Sequence, residues 1–157
     1  MTEDMQHIRR AIALAQANSR TGRNGPFGAV VAEGARILGE GVNQVVRRHD
    51  PTAHAEVMAI RAACRERRSH ELSGCTLYAS CEPCPMCLAA AYWARLDRVV
   101  YACTRADAAA AGFDDDLIYR ELPLPWAERR LKHRQIGRRE GLAVLKQWKD
   151  HPAKRAY

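Results

Sequence analysis

Apolar positions along this chain follow a helical period in some segments and form short strand-like runs in others, which predicts an α/β protein. Residues 3–20 carry apolar side chains every three or four positions, as an amphipathic helix does. Thr2 can cap the start of this helix, and Gly22 lies just beyond its end. Residues 138–150 repeat the helical pattern near the other end of the chain, with an apolar series of Leu142, Leu145 and Trp148.

A β-hairpin is predicted after the first helix. The motif GPFG at 25–28 predicts a loop, and the apolar run at 29–32 predicts a buried strand. A Glu-Gly pair at 33–34 indicates a tight turn into a second strand that contains residues 37–38. Polar residues over 43–50 then predict a loop.

The middle of the chain alternates between helix and strand. Asp-Pro-Thr at 50–52 is a helix-start signal. The elements expected after it are a helix at 54–68, a strand at 75–79, a helix at 83–95 and a strand at 98–102. This β-α-β-α-β order, with right-handed crossovers, predicts parallel neighbouring strands covered by helices. A short helix at 114–121 and an edge strand at 132–136 would complete a single domain over 1–157.

Composition restricts the class of protein. With 157 residues, 47% hydrophobic and 27% charged, the chain suits one globular domain and is too apolar for a disordered one. No apolar run in the sequence approaches the roughly 20 residues that a membrane span needs, and no signal-peptide pattern opens the chain. The six cysteines are therefore expected to be reduced thiols or metal ligands in a cytoplasmic protein.

The formal net charge of +7 lies entirely in the last quarter of the chain. Residues 1–119 hold 14 basic and 14 acidic side chains, whereas residues 120–157 hold 11 basic and 4 acidic ones. A basic segment of this kind is typical of nucleic-acid-binding proteins, so that class of function stays open at this point.

Two short segments carry the residue types of a metal centre, His-Ala-Glu at 54–56 and Pro-Cys-Pro-Met-Cys at 83–87. Each opens a predicted helix, and ligands of open α/β sheets gather at the strand ends where such helices begin. Cys84 and Cys87 are three residues apart in a first helical turn, so both sulfurs lie on one face, where the helix N-terminus stabilises thiolates. Two thiolates and the imidazole of His54 form a ligand set suited to Zn²⁺.

Three protein ligands leave the fourth tetrahedral position for water, which is typical of a catalytic zinc site. Zinc lowers the pKa of such a water to about 7. Glu56 follows His54 by two residues, so it can lie beside this water and carry its proton to a leaving group. Two alternatives remain open: a closed structural site that adds Cys81 as a fourth ligand, and a metal-free group of buried cysteines with a core histidine.

The pair of motifs H-x-E and P-C-x-x-C is the signature of zinc nucleobase deaminases. Longer segments extend the similarity, namely PFGAV (26–30), DPTAHAE (50–56), SCEPCPMC (80–87), YWAR (92–95), AGFDDD (111–116) and the final Tyr157. Over most of residues 8–121 the chain resembles the bacterial guanine deaminase family, within the cytidine and deoxycytidylate deaminase superfamily. Cytidine, adenosine and guanine enzymes share the zinc motif, whereas the GFDD segment and the terminal tyrosine are more specific.

This resemblance implies a three-layer α/β/α cytidine-deaminase-like fold around a mixed five-stranded sheet. It implies one zinc ion with a bound water per subunit, His54, Cys84 and Cys87 as the zinc ligands, and Glu56 as the proton shuttle. The reaction it implies is the hydrolysis of guanine to xanthine and ammonia, a step of purine catabolism.

The resemblance also carries over Asn43 and Asp115 as contacts to the base. The Watson–Crick edge of guanine offers two donors beside one carbonyl acceptor, so a carboxylate can accept from the donors and an amide can match a mixed edge. Adenine offers a ring nitrogen acceptor instead, which an ionised carboxylate would repel. Phe27 can stack on the base or wall its pocket. The alternatives are a solvated helix start for the acidic residues 114–116 and an ordinary loop role for Asn43.

In the family, the C-terminal segment closes over the active site of the neighbouring subunit. The resemblance therefore implies a domain-swapped homodimer, in which the helix and tail at about 138–157 cross to the partner and Tyr157 reaches the partner's pocket. The basic tail could then dock on the acidic residues 114–116 of that neighbour. A frayed terminus is the alternative.

Three other functions remain in competition. A guanosine deaminase shares the GFDD-like segment, a tRNA adenosine deaminase shares the zinc motif, and a non-catalytic RNA-binding module could keep zinc for folding alone. The acidic triplet at 114–116 and the charge balance of residues 1–119 disfavour nucleic acid, and a closing tail leaves little room for a ribose. We therefore expect a small purine base as the substrate, with neither nucleic acid nor membrane as a partner.

Overall fold

The computed structural model describes residues 2–113 and 115–156, so Met1, Asp114 and Tyr157 lie outside the described residues. In chain order its elements are α1 (Glu3–Ser19), β1 (Gly28–Glu33), β2 (Arg36–Val42), α2 (Val45–Arg48), α3 (Ala55–Arg67), β3 (Thr76–Cys81), α4 (Pro85–Trp93), β4 (Arg98–Cys103), α5 (Arg105–Ala110), α6 (Asp116–Glu121) and α7 (Arg138–Asp150). The chain divides into two compact units, Met1–Asp116 and Leu117–Tyr157.

The first unit contains a mixed sheet of four strands in the order β2-β1-β3-β4. β1 pairs antiparallel with both β2 and β3, and β3 pairs parallel with β4. β1 is central because its residues are apolar on both faces, and Val30 and Val31, which point to opposite faces, are both fully buried. The expectation that the strands of the β-α-β-α-β segment are parallel neighbours therefore holds for β3 and β4 but is wrong for β2 and β3, because β1 lies between them.

The fifth strand implied by the resemblance is absent from the described residues, which form four strands. Residues 132–136, where an edge strand was expected, are exposed and form no strand. Their sequence, KHRQI, has one apolar residue among charged and polar ones, so it offers little side-chain burial to hold an edge strand in place.

Helices cover both faces of the sheet and make three layers. On one face, Ile8 and Ala11 of α1 pack against Val30, Ala32 and Tyr78. On the other face, α3 and α4 supply small and aliphatic side chains to a larger core, including Ala55, Ala59, Ile60, Ala63 and Ala91. The α/β/α layering implied by the resemblance is thus confirmed.

Glycines on β2 bring α3 close to the sheet. A Cβ atom at Gly41 would collide with the backbone oxygen of Ala55 and the backbone nitrogen of Ala59, and one at Gly39 would collide with the next turn of the same helix. The helix backbone therefore lies directly on the strand. This contact holds the first turn of α3, which includes Ala55, against Gly41.

Local signals were confirmed at some helix starts and wrong at others. Thr2 caps α1, as its hydroxyl accepts a hydrogen bond from the Met5 backbone N–H at 3.4 Å. The Asp-Pro-Thr signal at 50–52 instead makes a turn, in which the Thr52 N–H donates to Asp50 Oδ1 at 2.8 Å, and α3 starts after it. The predicted loop at 43–50 contains the short helix α2.

The second unit buries none of its described side chains. Helix α7 exposes a series of large apolar residues, Leu142, Val144, Leu145 and Trp148, which are 44–66% exposed. Within this unit the ring of Trp126 packs edge-on against His133, with ring centroids 4.4 Å apart. Among the described residues, no helix combines the length and the apolar character that crossing a membrane requires.

Candidate active site

The first half of the site is the start of α3. His54 is the N-cap residue of this helix and has extended backbone angles, and Glu56 lies in the first turn. The His54 N–H donates to the Thr52 carbonyl at 2.8 Å, so the turn at 50–52 holds the cap in place. Because α3 lies directly on β2, the imidazole and the carboxylate are carried on a rigid helix end.

The second half of the site is the start of α4, which follows β3 on the chain. Cys84 is its N-cap residue, Pro85 occupies the first turn, and Cys87 lies one turn further on. Proline suits this position because its missing N–H has no helical partner there in any case. The expectation that both sulfurs lie on one face is confirmed by their separation of 3.6 Å.

The three side chains converge into one triangle. His54 Nδ1 lies 3.6 Å from Cys84 Sγ and 3.6 Å from Cys87 Sγ. These three residues form the one group of potential metal-ligating side chains found among the described residues. Typical Zn–S and Zn–N distances place ligand atoms on a tetrahedral edge about 3.6–3.8 Å apart. The donor set and its spacing therefore fit Zn²⁺ without rearrangement.

The electrostatics of the triangle also suit a cation. The hydrogen bond between the sulfurs of Cys84 and Cys87, opposed by burial and reinforced by a hydrogen bond with His54, lowers the pKa of Cys84 to about 4. The same hydrogen bond between the sulfurs, together with burial, raises the pKa of Cys87. A metal ion binds cysteine as the thiolate, so binding to Cys87 would release the proton of its thiol.

Glu56 is a buried acid beside the triangle. Its side chain is 8% exposed, and burial raises the pKa of its carboxyl group above the ordinary value. The carboxyl group also accepts a hydrogen bond from the Cys87 thiol, which places it next to the ligand atoms without making it one of the three. A carboxyl group in this position can accept a proton and return it.

Cys81 lies outside this group. Its thiol donates to the backbone oxygen of Thr104 at 3.5 Å, and burial raises its pKa to about 11. A protonated thiol that already donates to a carbonyl group is a poor metal ligand. The geometry therefore disfavours the closed four-ligand alternative.

Three of the residues expected to contact a substrate lie in the same unit as the triangle. Phe27 packs edge-on against Phe113, with ring centroids 4.9 Å apart, so the loop before β1 meets the GFDD segment. Asp115 is half-buried, and its negative charge contributes to raising the pKa of His54, after the larger effect of the hydrogen bond with Cys84. Asp114 and Tyr157 lie outside the described residues.

Asn43 lies between the β1–β2 hairpin and the turn at 50–53 that precedes His54. It follows β2 and is 8% exposed. Its backbone N–H donates to the Phe27 carbonyl at 3.1 Å, and the N–H of the next residue, Gln44, donates to Ala53 at 2.9 Å. Asn43 is therefore fixed between Phe27 and the residue that precedes His54, rather than being an ordinary solvated loop residue.

One contact to this junction was missed from the sequence. Asn18, near the end of α1, donates from Nδ2 to the carbonyl oxygens of Gly25 and Asn43 at 3.0 and 2.9 Å. An asparagine near a helix end is ordinary, and its two acceptors are 7 and 25 residues away in the sequence. Local pattern gave no signal for this contact.

Known proteins match this chain over nearly its whole length. Guanine deaminase of Bacillus subtilis (strain 168) is 47% identical over 150 residues, covering 96% of both chains. The X-ray structure of guanine deaminase from Bacillus subtilis matches with a TM-score of 0.93 and 46% identity, over 98% of each chain.

Two more distant relatives also match this chain. Guanine deaminase from Nitrosomonas europaea is 28% identical with a TM-score of 0.66, covering 88% of this chain and 70% of that one. A tRNA-specific adenosine deaminase of Haemophilus influenzae is 37% identical over 118 residues, covering 71% of this chain and 68% of that protein. The family model for the cytidine and deoxycytidylate deaminase zinc-binding region matches residues 1–103. The chain therefore belongs to the cytidine and deoxycytidylate deaminase family.

Proposed function

We propose that this protein is a zinc-dependent guanine deaminase that converts guanine and water into xanthine and ammonia. The observation that carries the proposal is the 3.6 Å triangle of His54, Cys84 and Cys87, with the buried acid Glu56 beside it. The near full-length similarity to guanine deaminase of Bacillus subtilis supports guanine, rather than another amino-bearing base, as the substrate.

In the proposed site, His54, Cys84 and Cys87 would hold one zinc ion, and no fourth protein ligand is proposed. When bound, zinc supplies Lewis-acid activation, which brings the pKa of a water molecule down to about 7. The soft, partly buried donor set favours zinc over hard cations such as Mg²⁺, which prefer oxygen ligands.

Glu56 is the proposed proton carrier. It takes a proton from the attacking water, whose oxygen bonds to the carbon that carries the amino group, and delivers this proton to the exocyclic nitrogen. The bond between that nitrogen and the carbon then breaks and releases ammonia. The second proton of the water passes to a ring nitrogen, which leaves the new carbonyl group of xanthine. Burial serves this role because it raises the pKa of Glu56, so that the carboxyl group can hold the proton between the two transfers. Its position in the first turn of α3 keeps it within reach of the zinc ligands.

Asn43, Asp115 and Phe27 are the proposed contacts to the base. Asn43 Oδ1 accepts from the Val45 backbone N–H at 3.3 Å, which orients the amide so that its Nδ2 hydrogens can be offered to an acceptor on the purine. Asp115 would accept from the ring N–H and the amine of guanine, which adenine cannot match. Phe27, already held by Phe113, would wall the base.

We further propose that the functional unit is a homodimer in which the tail, about 138–157, closes over the partner's site and brings Tyr157 to it. The exposed apolar series on α7 supports this proposal, because a helix with Leu145 and Trp148 66% and 48% exposed gains free energy by packing against another surface. The basic charge of residues 120–157 would complement the acidic residues 114–116 of the partner.

A cytoplasmic location of this protein stays a prediction from its sequence.

An ammonia-release assay tests the proposed substrate directly. The zinc-loaded protein is supplied with guanine, guanosine, adenine, cytosine and their nucleosides, and with an adenosine-containing tRNA anticodon stem-loop. We expect ammonia from guanine and at least a hundredfold less from every other compound. Ammonia from guanosine but not from guanine would show that the substrate is the nucleoside and not the free base. Ammonia from the stem-loop would show that the substrate is a tRNA. RNA binding with steep salt dependence and no ammonia from any compound would favour the binding module.

A further inference from the structure

The backbone of the buried residue Asn43 is held in place by a side chain from a different layer of the fold. Asn18 belongs to α1, on the opposite side of the sheet from α3, and its Nδ2 group reaches Asn43 O at 2.9 Å. The second hydrogen of the same group is used for Gly25 O at 3.0 Å. One side chain therefore ties the loop before β1 to the loop after β2.

The two tied loops carry the proposed base contacts. The loop before β1 ends in Phe27, whose carbonyl oxygen accepts from the Asn43 N–H at 3.1 Å. The Asn43 side chain packs against Gly25 so closely that a Cβ atom there would lie 3.2 Å from Asn43 Cγ and 3.1 Å from Phe27 Cδ2. Gly25, Phe27 and Asn43 thus form one packed group, and Asn18 bonds to the backbone of two of its members.

We infer that Asn18 is a positioning residue for guanine recognition, which holds the backbone of Asn43 and thereby sets the orientation of the Asn43 side-chain amide. This inference rests on the proposed role of Asn43 in binding the base. Both donors of the Asn18 amide are used on carbonyl groups, so the residue does not contact substrate; it acts through Asn43. A hydroxyl or a carboxylate at position 18 cannot supply two N–H donors to two acceptors, whereas an amide can.

The test is a comparison of Asn18→Asp with wild type for KM and kcat on guanine. The aspartate has the same shape as asparagine but turns acceptor oxygens toward two carbonyl oxygens, so we expect the KM for guanine to rise about tenfold while kcat changes by less than about threefold. Gln16→Ala is the matched control, because it removes an exposed amide from the same last turns of α1. Zinc content and Tm are recorded for each variant.

A double variant separates positioning from general damage. If Asn18 acts through Asn43, then Asn18→Asp should raise KM in the wild-type background but leave the KM of Asn43→Ala unchanged within about twofold. Equal effects of Asn18→Asp in both backgrounds would overturn the inference, because a merely structural role does not depend on the Asn43 side chain. If Asn18→Asp fails to fold, Asn18→Ala takes its place, since it removes the donors without adding a charge.

Gly25→Ala provides an independent check on the same packed group. The added Cβ would press on the Asn43 amide and the Phe27 ring without changing either Asn18 hydrogen bond, so we expect a raised KM and unchanged zinc content.

The results for the Asn43 and Asn18 variants distinguish a failure of the proposed base contact from a failure of the positioning role. If Asn43→Ala itself leaves the KM for guanine unchanged, the proposed base contact is wrong and the inference falls with it. If Asn43→Ala raises KM but Asn18→Asp and Asn18→Ala do not, only the positioning role is overturned.

Discussion

The two compact units of this chain differ in what their apolar residues do. In residues 2–113 and 115–116, alanines, valines and leucines fill a core on both faces of a sheet. Two of the proposed zinc ligands, Cys84 and Cys87, pack with Val57 in a separate small cluster. In residues 117–156 no described side chain is buried, and the large apolar side chains of α7 face outward. The first unit thus buries a core of its own, although Tyr92 and Trp93 of α4 are 76% and 66% exposed. The second unit buries none of its described apolar side chains.

The difference between the units predicts where mutations act. Changes in the first unit should alter stability, zinc binding or chemistry even in a single subunit. Changes in the second unit should act through whatever covers α7, which we propose to be a second copy of the chain. The four predictions below run from the largest expected effect to the smallest.

Replacing Glu56 by Gln should lower kcat for guanine about a thousandfold, because the amide cannot carry the proton from water to the leaving nitrogen. Zinc content should stay at one ion per subunit, since Glu56 is not one of the three ligating side chains. Glu66→Gln, a change of the same type at an exposed site in the last turn of the same helix α3, is the control and should leave kcat unchanged. Glu56→Gln activity within tenfold of wild type would assign the proton transfer to another group.

Two glycine substitutions, one in each unit, should change the free energy of unfolding in opposite directions. Gly41→Ala places a methyl group against the backbone of α3, so the free energy of unfolding should fall by about 2–3 kcal/mol and zinc occupancy should fall with it. Gly141→Ala, inside α7, meets no atom within 4 Å and should stabilise that helix by up to about 1 kcal/mol. Thermal unfolding measures both effects. A change in Tm for Gly41→Ala as small as that for Gly141→Ala would mean that α3 can move away from β2 at little cost.

Deleting residues 153–157 should lower turnover of guanine about tenfold while zinc content stays the same, because the tail is proposed to close over the partner's site. Kinetics of the truncated protein, together with its oligomeric state at low and raised salt, provide the measurement. Full turnover in the truncated dimer would remove the proposed closure. Dimerisation and activity that do not change with salt would mean that the basic charge of residues 120–157 plays no part in assembly.

The smallest effect concerns the anchor of α1 on the sheet. Asp4 accepts hydrogen bonds from the Tyr78 hydroxyl at 2.8 Å and from Arg98 at 2.6 Å, and these two bonds hold the pKa of Asp4 below its ordinary value of 3.8. A carboxyl group with a lowered pKa in the folded state adds stability above its unfolded pKa and loses it as the pH falls through the folded pKa.

Asp4→Asn should therefore lower Tm by a few degrees at pH 7, and the difference from wild type should shrink below about pH 4. Asp150→Asn, which breaks an exposed pair with Lys146 in the second unit, is the control and should hardly change Tm. A Tm difference for Asp4→Asn that is the same at pH 7 and pH 3 would mean that the carboxylate charge does not contribute.

Patterns confined to a few residues predicted much of the fold and the metal triangle. The Thr2 cap, the hairpin turn and the Pro-Cys-x-x-Cys helix start depend on neighbouring residues, so local chemistry specifies them. The place of β1 between β2 and β3 depends instead on which strand pairs with each of its edges, which a linear pattern does not contain. For the same reason, the hydrogen bonds that tie Asn18 to Asn43 were not predictable, because their energy comes from groups that only folding brings together.

The central claim is that His54, Cys84 and Cys87 form an open, catalytic zinc centre, and X-ray absorption spectroscopy on the zinc-loaded protein tests it most directly. An open centre would show two sulfur ligands, one imidazole nitrogen and one further light-atom ligand at the zinc edge. Three sulfur ligands with one nitrogen would contradict it, because Cys81 would then close the centre and leave no position for water.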